Sequence, residues 1–257
     1  MTDALRFEWV RLRTLRSTYW LIGFALVLNA VIALMIAWLE PDDPPRDLVV
    51  AAVTGGGSNL PVPMAVVLLA ALGVLASGHE YRYGTIQPTL TAVPQRIRLF
   101  TAKVLVVGAA ALAVTAVSIL VNVAVTRPFW ASMPSLTDVT VFGYLLLGVL
   151  WAVLGVALGQ LLRGVPGALV VLLVTPMIVE QLIFRLSYAP ALDWLLPVVR
   201  YLPFTAGLQL VSAAGEASGG LAEEVGLFTR WPSGAVFAVF VALAVAGAGA
   251  LFRRRDA

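Results

Sequence analysis

The sequence predicts an all-α polytopic membrane protein with six transmembrane helices, and its composition is the first indication. Of the 257 residues, 60% are apolar and only 12% are charged, and the mean hydropathy is +0.94. A water-soluble domain carries about 25% charged residues. Backbone polar groups in a bilayer must be paired within their own segment, and the apolar runs are too long for the alternating strands of a membrane barrel. We therefore expect helical spans within a single transmembrane domain, 1–257.

Six apolar segments reach the length of about 20 residues that a membrane-crossing helix needs. The second is the shortest, and Pro61 and Pro63 stand at its start, where their missing amide protons do no harm. The first has a longer apolar core than a cleaved signal peptide, so we expect it to remain as a helix. The predicted spans are roughly 20–39, 61–78, 103–125, 140–162, 165–184 and 233–252.

The basic residues predict the orientation of these spans. If both termini face the cytoplasm, 12 of the 17 Lys and Arg residues lie on the inner side. The inner side then has a net charge of +8 and the outer side −5, which agrees with the positive-inside rule. The sequence pI near 9.6 therefore reports topology in a cell membrane, and nucleic acid is not an expected partner.

The segment before the first span, DALRFEWVRLRTLRSTYW, predicts an amphipathic helix that lies in the inner membrane interface. Arg16 interrupts its apolar face, so a simple positively charged anchor for the first span remains the alternative. The apolar face comprises Leu5, Trp9, Leu12, Leu15 and Tyr19, whereas Arg6, Arg11, Arg13 and Thr14 lie mostly on the other side, with the arginines toward lipid phosphates.

A polar island of 26 residues, GHEYRYGTIQPTLTAVPQRIRLFTAK at 78–103, lies between the second and third spans. Gly84 allows a sharp turn, and Thr85 is placed to cap a helix that begins at Ile86. Ile86, Leu90 and Val93 then recur at the spacing of a helix that docks in a partner's groove. The alternative is an amphipathic helix that rests on lipid headgroups.

The island also resembles the signature of type-2 ATP-binding-cassette (ABC) exporter permeases, in the form common among actinobacterial members. In that family a glutamate ends the second span, a Gly-Thr pair precedes a short helix, and a proline–x–arginine leads into a third span that starts with a lysine. The N-terminal segment EWVRLRTLRSTYW resembles the family's connecting helix. The matching residues of the island are Glu80, Gly84, Thr85, Leu90, Thr91, Pro94, Arg96 and Lys103.

The resemblance implies half of a transport conduit. Two permease copies would form the pathway, a homodimer being simpler than a pair of paralogues, and two separate ATPase subunits would bind ATP and magnesium below them. The helix after Gly84 would be the coupling helix, and the N-terminal helix would be the connecting helix. The implied ATPase contact comprises Glu80, Arg82, Tyr83, Gly84, Thr85, Ile86, Gln87 and Leu90; the implied connecting-helix residues are Leu5, Trp9, Leu12 and Arg13.

Catalysis is not expected in this chain. A phosphate loop needs a lysine behind a glycine-rich turn, and the single lysine, Lys103 in FTAKVL, has no such turn before it. There is no cysteine and one histidine, His79, so neither a thiolate nor a multi-histidine metal site is expected. An ATP-independent channel or lipid scramblase remains the alternative function, because composition does not distinguish it.

A few polar residues lie inside the predicted spans. Asn29 and Asn122 are candidates for a transport pathway, or for hydrogen bonds between helices. Glu180, near the outer end of the fifth span, is expected to pair with Arg185 or to face outer water, with a pathway role as the alternative. Spacing of small residues in GVALG, 155–159, predicts a close helix contact within the chain or between subunits. The region 185–232 predicts short outer helices.

Overall fold

The prediction of an all-α polytopic membrane protein is confirmed. The computed structural model describes residues 1–40, 44–55, 63–92, 95–130, 138–212 and 226–254. Within these ranges the chain is helical without a strand, and six helices are long and apolar enough to cross a membrane. These spans are α2 (Arg16–Leu39), α4 (Met64–Arg82), α6 (Arg96–Thr126), α7 (Val139–Leu161), the segment Val165–Leu186 and α12 (Arg230–Arg254).

Short helices connect or flank these spans. An N-terminal helix, α1 (Thr2–Thr14), is separated from α2 by the extended residue Leu15. The expected short helix between the second and third spans is α5 (Ile86–Ala92). The expected helices between the fifth and sixth spans are a 3₁₀ turn (Pro190–Leu195), α10 (Leu196–Val199) and α11 (Pro203–Leu208). Val93 and Pro94, which the sequence placed in the island, lie outside the described residues.

The two spans next to the island extend further into it than their hydropathy predicts. The second was expected to end at 78, but α4 continues to Arg82 and so includes Glu80. The third was expected to begin at 103, but α6 begins at Arg96. A hydropathy window excludes charged residues, whereas a helix continues through them when their charges are paired or reach water. Lys103 therefore lies about two turns inside a helix rather than at its start.

One buried helix was not predicted. α3 (Arg46–Thr54) has nine residues, too few to span a bilayer, yet its residues 49–54 are all buried. It ends at Gly55, which adopts a left-handed backbone conformation with φ of +63°. A Cβ atom at this position would overlap the Asn29 side chain of α2. Glycine is thus required here both by backbone conformation and by the close approach of α2.

The centre of the bundle is the contact between α4 and α7. Tyr144 and Trp151 of α7 are fully buried in the main apolar cluster. A Cβ atom on Gly73 of α4 would overlap the Ala152 carbonyl oxygen, and one on Gly155 of α7 would overlap the Ala70 carbonyl oxygen. The small residues of GVALG therefore allow close helix packing within the chain, which was one of the two alternatives that the sequence left open.

The fifth span is not a continuous α-helix. It consists of α8 (Val165–Val174), a π-helical turn (Thr175–Val179) that contains Pro176, and α9 (Glu180–Leu186). Proline lacks the amide proton that an α-helix would use, and both prolines and π turns are sites where long helices kink. The π turn sets the direction of α9 and places Glu180 toward the neighbouring α11.

Candidate functional site: a charged cluster beneath the island helix

The candidate site lies at the end of the bundle that carries α1, α5 and the C-terminal end of α12. The Arg96 side chain, at the start of α6, donates to the Phe252 carbonyl oxygen over 3.4 Å and thereby joins the two ends. The side chain of Glu8 in α1 lies near Lys103 in α6. α6 is thus joined directly to both α1 and α12 at this end of the bundle.

The turn between α4 and α5 forms the exposed part of the site. Gly84 has a φ of +65°, the left-handed conformation that favours glycine, and no atom of the described residues lies within 4 Å of where a Cβ would be. Next to it, Arg82 and Tyr83 are exposed, and the Arg82 guanidinium lies over the Tyr83 ring, 5.6 Å from its centroid. Thr85 and Gln87 are also exposed. The chain therefore presents a polar and aromatic surface from Arg82 to Gln87, to which every residue except the buried Ile86 contributes.

Ile86 anchors α5 to the bundle. Its side chain is buried in the apolar cluster that contains Phe100 of α6 and Phe252 of α12. The Thr89 amide and hydroxyl both donate to the Thr85 carbonyl oxygen, over 3.2 and 2.8 Å, which closes the first turn. Because Ile86 faces inward while Gln87 faces outward, α5 is held on the bundle and still offers one free side.

Glu80 lies in the last turn of α4, and its carboxylate faces the interior rather than the surface where the resemblance placed it. Only 1% of the side chain is exposed. One carboxylate oxygen forms an ion pair with the Arg11 guanidinium of α1, and the other lies 2.6 Å from the Lys103 ammonium of α6. Lys103 is buried as well and also donates to the Ala76 carbonyl oxygen over 3.1 Å. In this structure Glu80 is a centre that joins three helices, and the residues that follow it form the surface.

Glu8 completes the cluster. Its carboxylate lies 3.5 Å from the Arg11 guanidinium and 3.7 Å from the Lys103 ammonium. Burial raises the pKa of the Glu8 carboxyl, although the nearby charges of Lys103 and Arg11 oppose this shift. With Glu80, the four side chains carry two positive and two negative charges, so the cluster is neutral as a whole. Removing any one member leaves a buried charge without its balance. We call Glu8, Arg11, Glu80 and Lys103 the charged cluster.

The charged cluster was only partly predicted. The sequence singled out Glu80 and Lys103, but it placed Arg11 toward lipid phosphates. That placement is wrong, because the Arg11 guanidinium instead pairs with Glu80. One signal could have indicated the cluster. Glu8 and Arg11 lie three residues apart on a helix, where their side chains can pair, and Glu80 and Lys103 lie at the ends of the two spans beside it.

The buried face of α1 is rotated relative to the predicted apolar face. The side chains that pack inward are those of Ala4, Glu8 and Leu12, at a spacing of four residues. Leu12 contributes to an apolar cluster with Leu72 and Val106, and Leu5 packs partly against it. Trp9 and Arg13 lie at the exposed edge. The apolar pattern could not reveal this rotation, because a charged residue, Glu8, occupies the centre of the buried face.

The candidate pathway residues are all buried in contacts within the chain. The Asn29 amide donates to the Ser118 hydroxyl and, over 3.1 Å, to the Tyr144 hydroxyl. The Asn122 amide donates to the Val53 carbonyl oxygen over 2.9 Å, at the C-terminal end of α3. These bonds tie α2, α3, α6 and α7 together, and they fit the alternative of hydrogen bonds between helices.

Glu180 makes different contacts from those expected. Its carboxylate accepts the Phe204 amide over 3.0 Å, the Thr205 amide over 2.6 Å and the Thr205 hydroxyl over 2.8 Å. The expected partners, Arg185 or outer water, are thus replaced by the first turn of α11. The amides of a first helical turn have no partner within their helix, and a carboxylate satisfies them well. Glu180 attaches the outer helices to the fifth span.

No protein-family model and no characterised protein matches the sequence. Within the described ranges, no three His, Asp or Glu side chains are grouped closely enough to hold a metal ion. The functional argument therefore depends on the geometry of the charged cluster and of the turn beside it.

Proposed function

We propose that the chain is the transmembrane permease subunit of an ABC exporter, coupled to a separate ATPase through the surface from Arg82 to Gln87 and the free side of α5. The observation that carries this proposal is the position of the charged cluster directly beneath that surface. Glu80 lies two residues before Arg82 and pairs with α1 and α6 at once. A displacement of the turn would therefore be transmitted to three helices together.

The distribution of exposed and buried groups supports a protein partner for this surface. Tyr83 is 64% exposed and is packed against His79 by one ring contact, with centroids 5.4 Å apart. Exposed tyrosine and arginine side chains beside each other are typical of residues that contribute strongly to protein interfaces. Ile86 fixes the surface to the bundle, so a partner would meet a preorganised surface.

The chain would act as a dimer in the cell membrane, with both termini and α5 in the cytoplasm. The orientation rests on the positive-inside rule, since α1, α5 and the end of α12 share the basic end of the bundle. Two identical copies are the simplest assembly, because closed two-fold symmetry is the commonest arrangement of soluble oligomers, which we extend here to a membrane subunit. ATP and magnesium would be bound by the partner.

The test is a pull-down of the tagged chain from its native membranes in mild detergent, followed by mass spectrometry. We expect a stoichiometric soluble ATPase with a phosphate loop. Tyr83→Ala should lower its recovery about tenfold, as for loss of an interface tyrosine. Tyr188→Ala is the matched control, because Tyr188 is also exposed and also packs edge-to-face on an aromatic ring four residues earlier, Phe184.

Recovery of the chain without any nucleotide-binding partner would contradict the proposal and direct attention to an ATP-independent channel or scramblase. Equal losses from Tyr83→Ala and Tyr188→Ala would contradict the assignment of the contact surface. Crosslinking of the purified chain in the same membranes tests the dimer separately.

A further inference from the structure

A groove of about 400 Å³ opens on the surface of the bundle between α1, the start of α2 and α6. One wall is formed by small side chains of α6, where Ala109, Ala110 and Ala113 leave a concave surface. The opposite wall is formed by larger side chains of α1 and α2. These are Trp9, Leu12, Arg13, Thr18, Tyr19 and Ile22. Its volume lies within the range of roughly 300–1,000 Å³ that is typical of small-ligand sites.

The position of the groove relates it to the membrane boundary. Tyr19 lies in the first turn of the span Arg16–Leu39, while the alanine wall belongs to the span Arg96–Thr126. Trp9 and Tyr19 are 47% and 59% exposed at the groove, and such rings favour the level of lipid headgroups. The apolar slot therefore runs from headgroup level toward the hydrocarbon core.

The rim of the groove is positively charged. Arg13 is exposed, and its guanidinium lies over the Trp9 ring, 5.9 Å from the centroid. Arg16 is also exposed, three residues further along the chain. Among the residues that the structure describes, no acidic side chain lines the groove. Glu8, on the same helix, faces away into the charged cluster and is paired there. Arg13 therefore borders an apolar slot that has no neutralising carboxylate among its described lining residues.

We infer that this groove binds one acyl chain of an anionic phospholipid, with the lipid phosphate at Arg13. The apolar walls accommodate the chain, and the Arg13 guanidinium provides the charge that favours an anionic over a zwitterionic headgroup. A second copy of the protein seated symmetrically on this surface would bring identical arginines together, and their repulsion opposes that occupant. The inference does not depend on the proposed transport function.

The test uses the quenching of tryptophan fluorescence by brominated lipids. The full chain is reconstituted in phosphatidylcholine vesicles with increasing amounts of phosphatidylglycerol, and bromine is placed on the acyl chains of one lipid or the other. The signal of Trp9 is the difference between the wild type and Trp9→Phe. We expect half-maximal quenching at an about fivefold lower fraction of brominated phosphatidylglycerol than of brominated phosphatidylcholine, as for one arginine near the lipid surface.

Three variants test the site itself. Arg13→Gln should abolish this fivefold preference, whereas Arg13→Lys should retain most of it. Arg6→Gln is the matched control, because Arg6 is an exposed arginine of the same helix that does not line the groove. Ala113→Phe should fill the slot from an exposed position of α6 and prevent quenching by either lipid at Trp9.

Equal half-maximal points for the two brominated lipids in the wild type would overturn the inference. An equal effect of Arg6→Gln and Arg13→Gln would overturn it too, since it would reduce the preference to general surface charge. Protection of Trp9 from both lipids would show another occupant, such as a second copy of the chain, and would likewise contradict the lipid site.

Discussion

The carboxylate of Glu80 lies 2.6 Å from the ammonium of Lys103, and both side chains are almost fully buried where the second and third spans meet the N-terminal helix. Arg11 pairs with the second oxygen of the same carboxylate. Burial of an ion is costly, and the opposite charges of the cluster, together with the hydrogen bond from Lys103 to the Ala76 carbonyl oxygen, offset this cost. The cluster thus fixes the arrangement of α1, α4 and α6 at the base of the exposed turn, because any separation of these helices leaves a buried charge unpaired.

Breaking this pair should be strongly destabilising. Lys103→Met leaves the Glu80 carboxylate with one partner, and we expect a loss of about 3–5 kcal/mol in the free energy of unfolding. Thermal unfolding of the detergent-solubilised chain measures the loss. Lys103→Met combined with Glu80→Gln should lose clearly less than the sum of the two single variants, because the second change removes the charge that the first left unpaired.

The control for the Lys103 variant is Arg46→Gln. The Arg46 guanidinium lies 3.3 Å from the Asp138 carboxylate, and the Arg46 side chain is 57% exposed. Solvent screens that pair, so the loss there should stay below about 1 kcal/mol. If Lys103→Met costs no more than Arg46→Gln, the charged cluster does not hold the helices together.

The pKa of Glu8 predicts how stability depends on pH. Because burial raises the pKa of this carboxyl in the folded protein, the folded state binds a proton more tightly than the unfolded state. Stability from this group is therefore greatest at acidic pH and is lost as the pH rises from the ordinary value of 4.5 through the raised pKa. Arg11, Lys103 and Glu80 surround the group, so the comparison must isolate Glu8 itself.

Glu8→Gln provides that comparison. The variant cannot titrate at this position, so the difference in melting temperature between wild type and Glu8→Gln should change in favour of the variant as the pH rises through this window. A difference that stays constant with pH, or one that favours the wild type increasingly at higher pH, would show that the Glu8 pKa is not raised.

Much of the fold could be predicted because hydropathy reports length and polarity directly. The six spans, the N-terminal helix and α5 follow from that pattern and from the signals at Gly84 and Thr85. α3 could not be predicted in this way, because a segment of nine residues with a short apolar run has no feature that distinguishes a buried helix from a loop. Its burial depends on tertiary partners, such as Asn122, which satisfies the Val53 carbonyl oxygen.

Of the charged cluster, the sequence singled out only Glu80 and Lys103, and it did not indicate their contacts. Glu80 stood out as an acid at the end of a span, but sequence spacing along a helix does not reveal which distant side chain pairs with it. Glu180 illustrates the same limit, since Arg185 was close in sequence while the actual partners, Phe204 and Thr205, belong to a short helix that packs there. Long-range pairing requires the structure.

Glu180 is predicted to anchor α11 to the fifth span. Glu180→Ala removes the acceptor of three hydrogen bonds, two from backbone amides that α11 cannot satisfy itself. We expect a loss of about 1.5–3 kcal/mol, the range for bonds to a charged group. Thr205→Val removes only the hydroxyl bond and should cost about 0.5–1.5 kcal/mol. Equal melting temperatures for wild type and Glu180→Ala would contradict the anchoring role.

Close packing of α4 on α7 should make their glycines intolerant of a single methyl group. Gly73→Ala places a Cβ against the backbone of Ala152, which cannot move aside as a flexible side chain would. We expect a loss of about 1–3 kcal/mol, typical of overpacking. Gly23→Ala in α2 is the matched control, because no atom lies within 4 Å of a Cβ there and alanine favours a helix. Destabilisation by Gly23→Ala as large as that by Gly73→Ala would contradict this account of the core.

Substitution of Gly84 should change the conformation of the exposed turn without changing the packing of the bundle. With φ of +65° and open space around a Cβ, the position opposes other residues only through backbone conformation. Gly84→Val should therefore cost about 1–2 kcal/mol at the turn itself, and Gly84→Asn clearly less, because asparagine tolerates the left-handed region. Hydrogen exchange should show faster opening of α5 in Gly84→Val while the exchange of α7 stays unchanged. If an ATPase binds the exposed turn, Gly84→Val should also lower recovery of that ATPase more than Gly84→Asn does. Equal recovery for the two variants, despite faster exchange in α5, would show that binding of the partner does not depend on the position of α5.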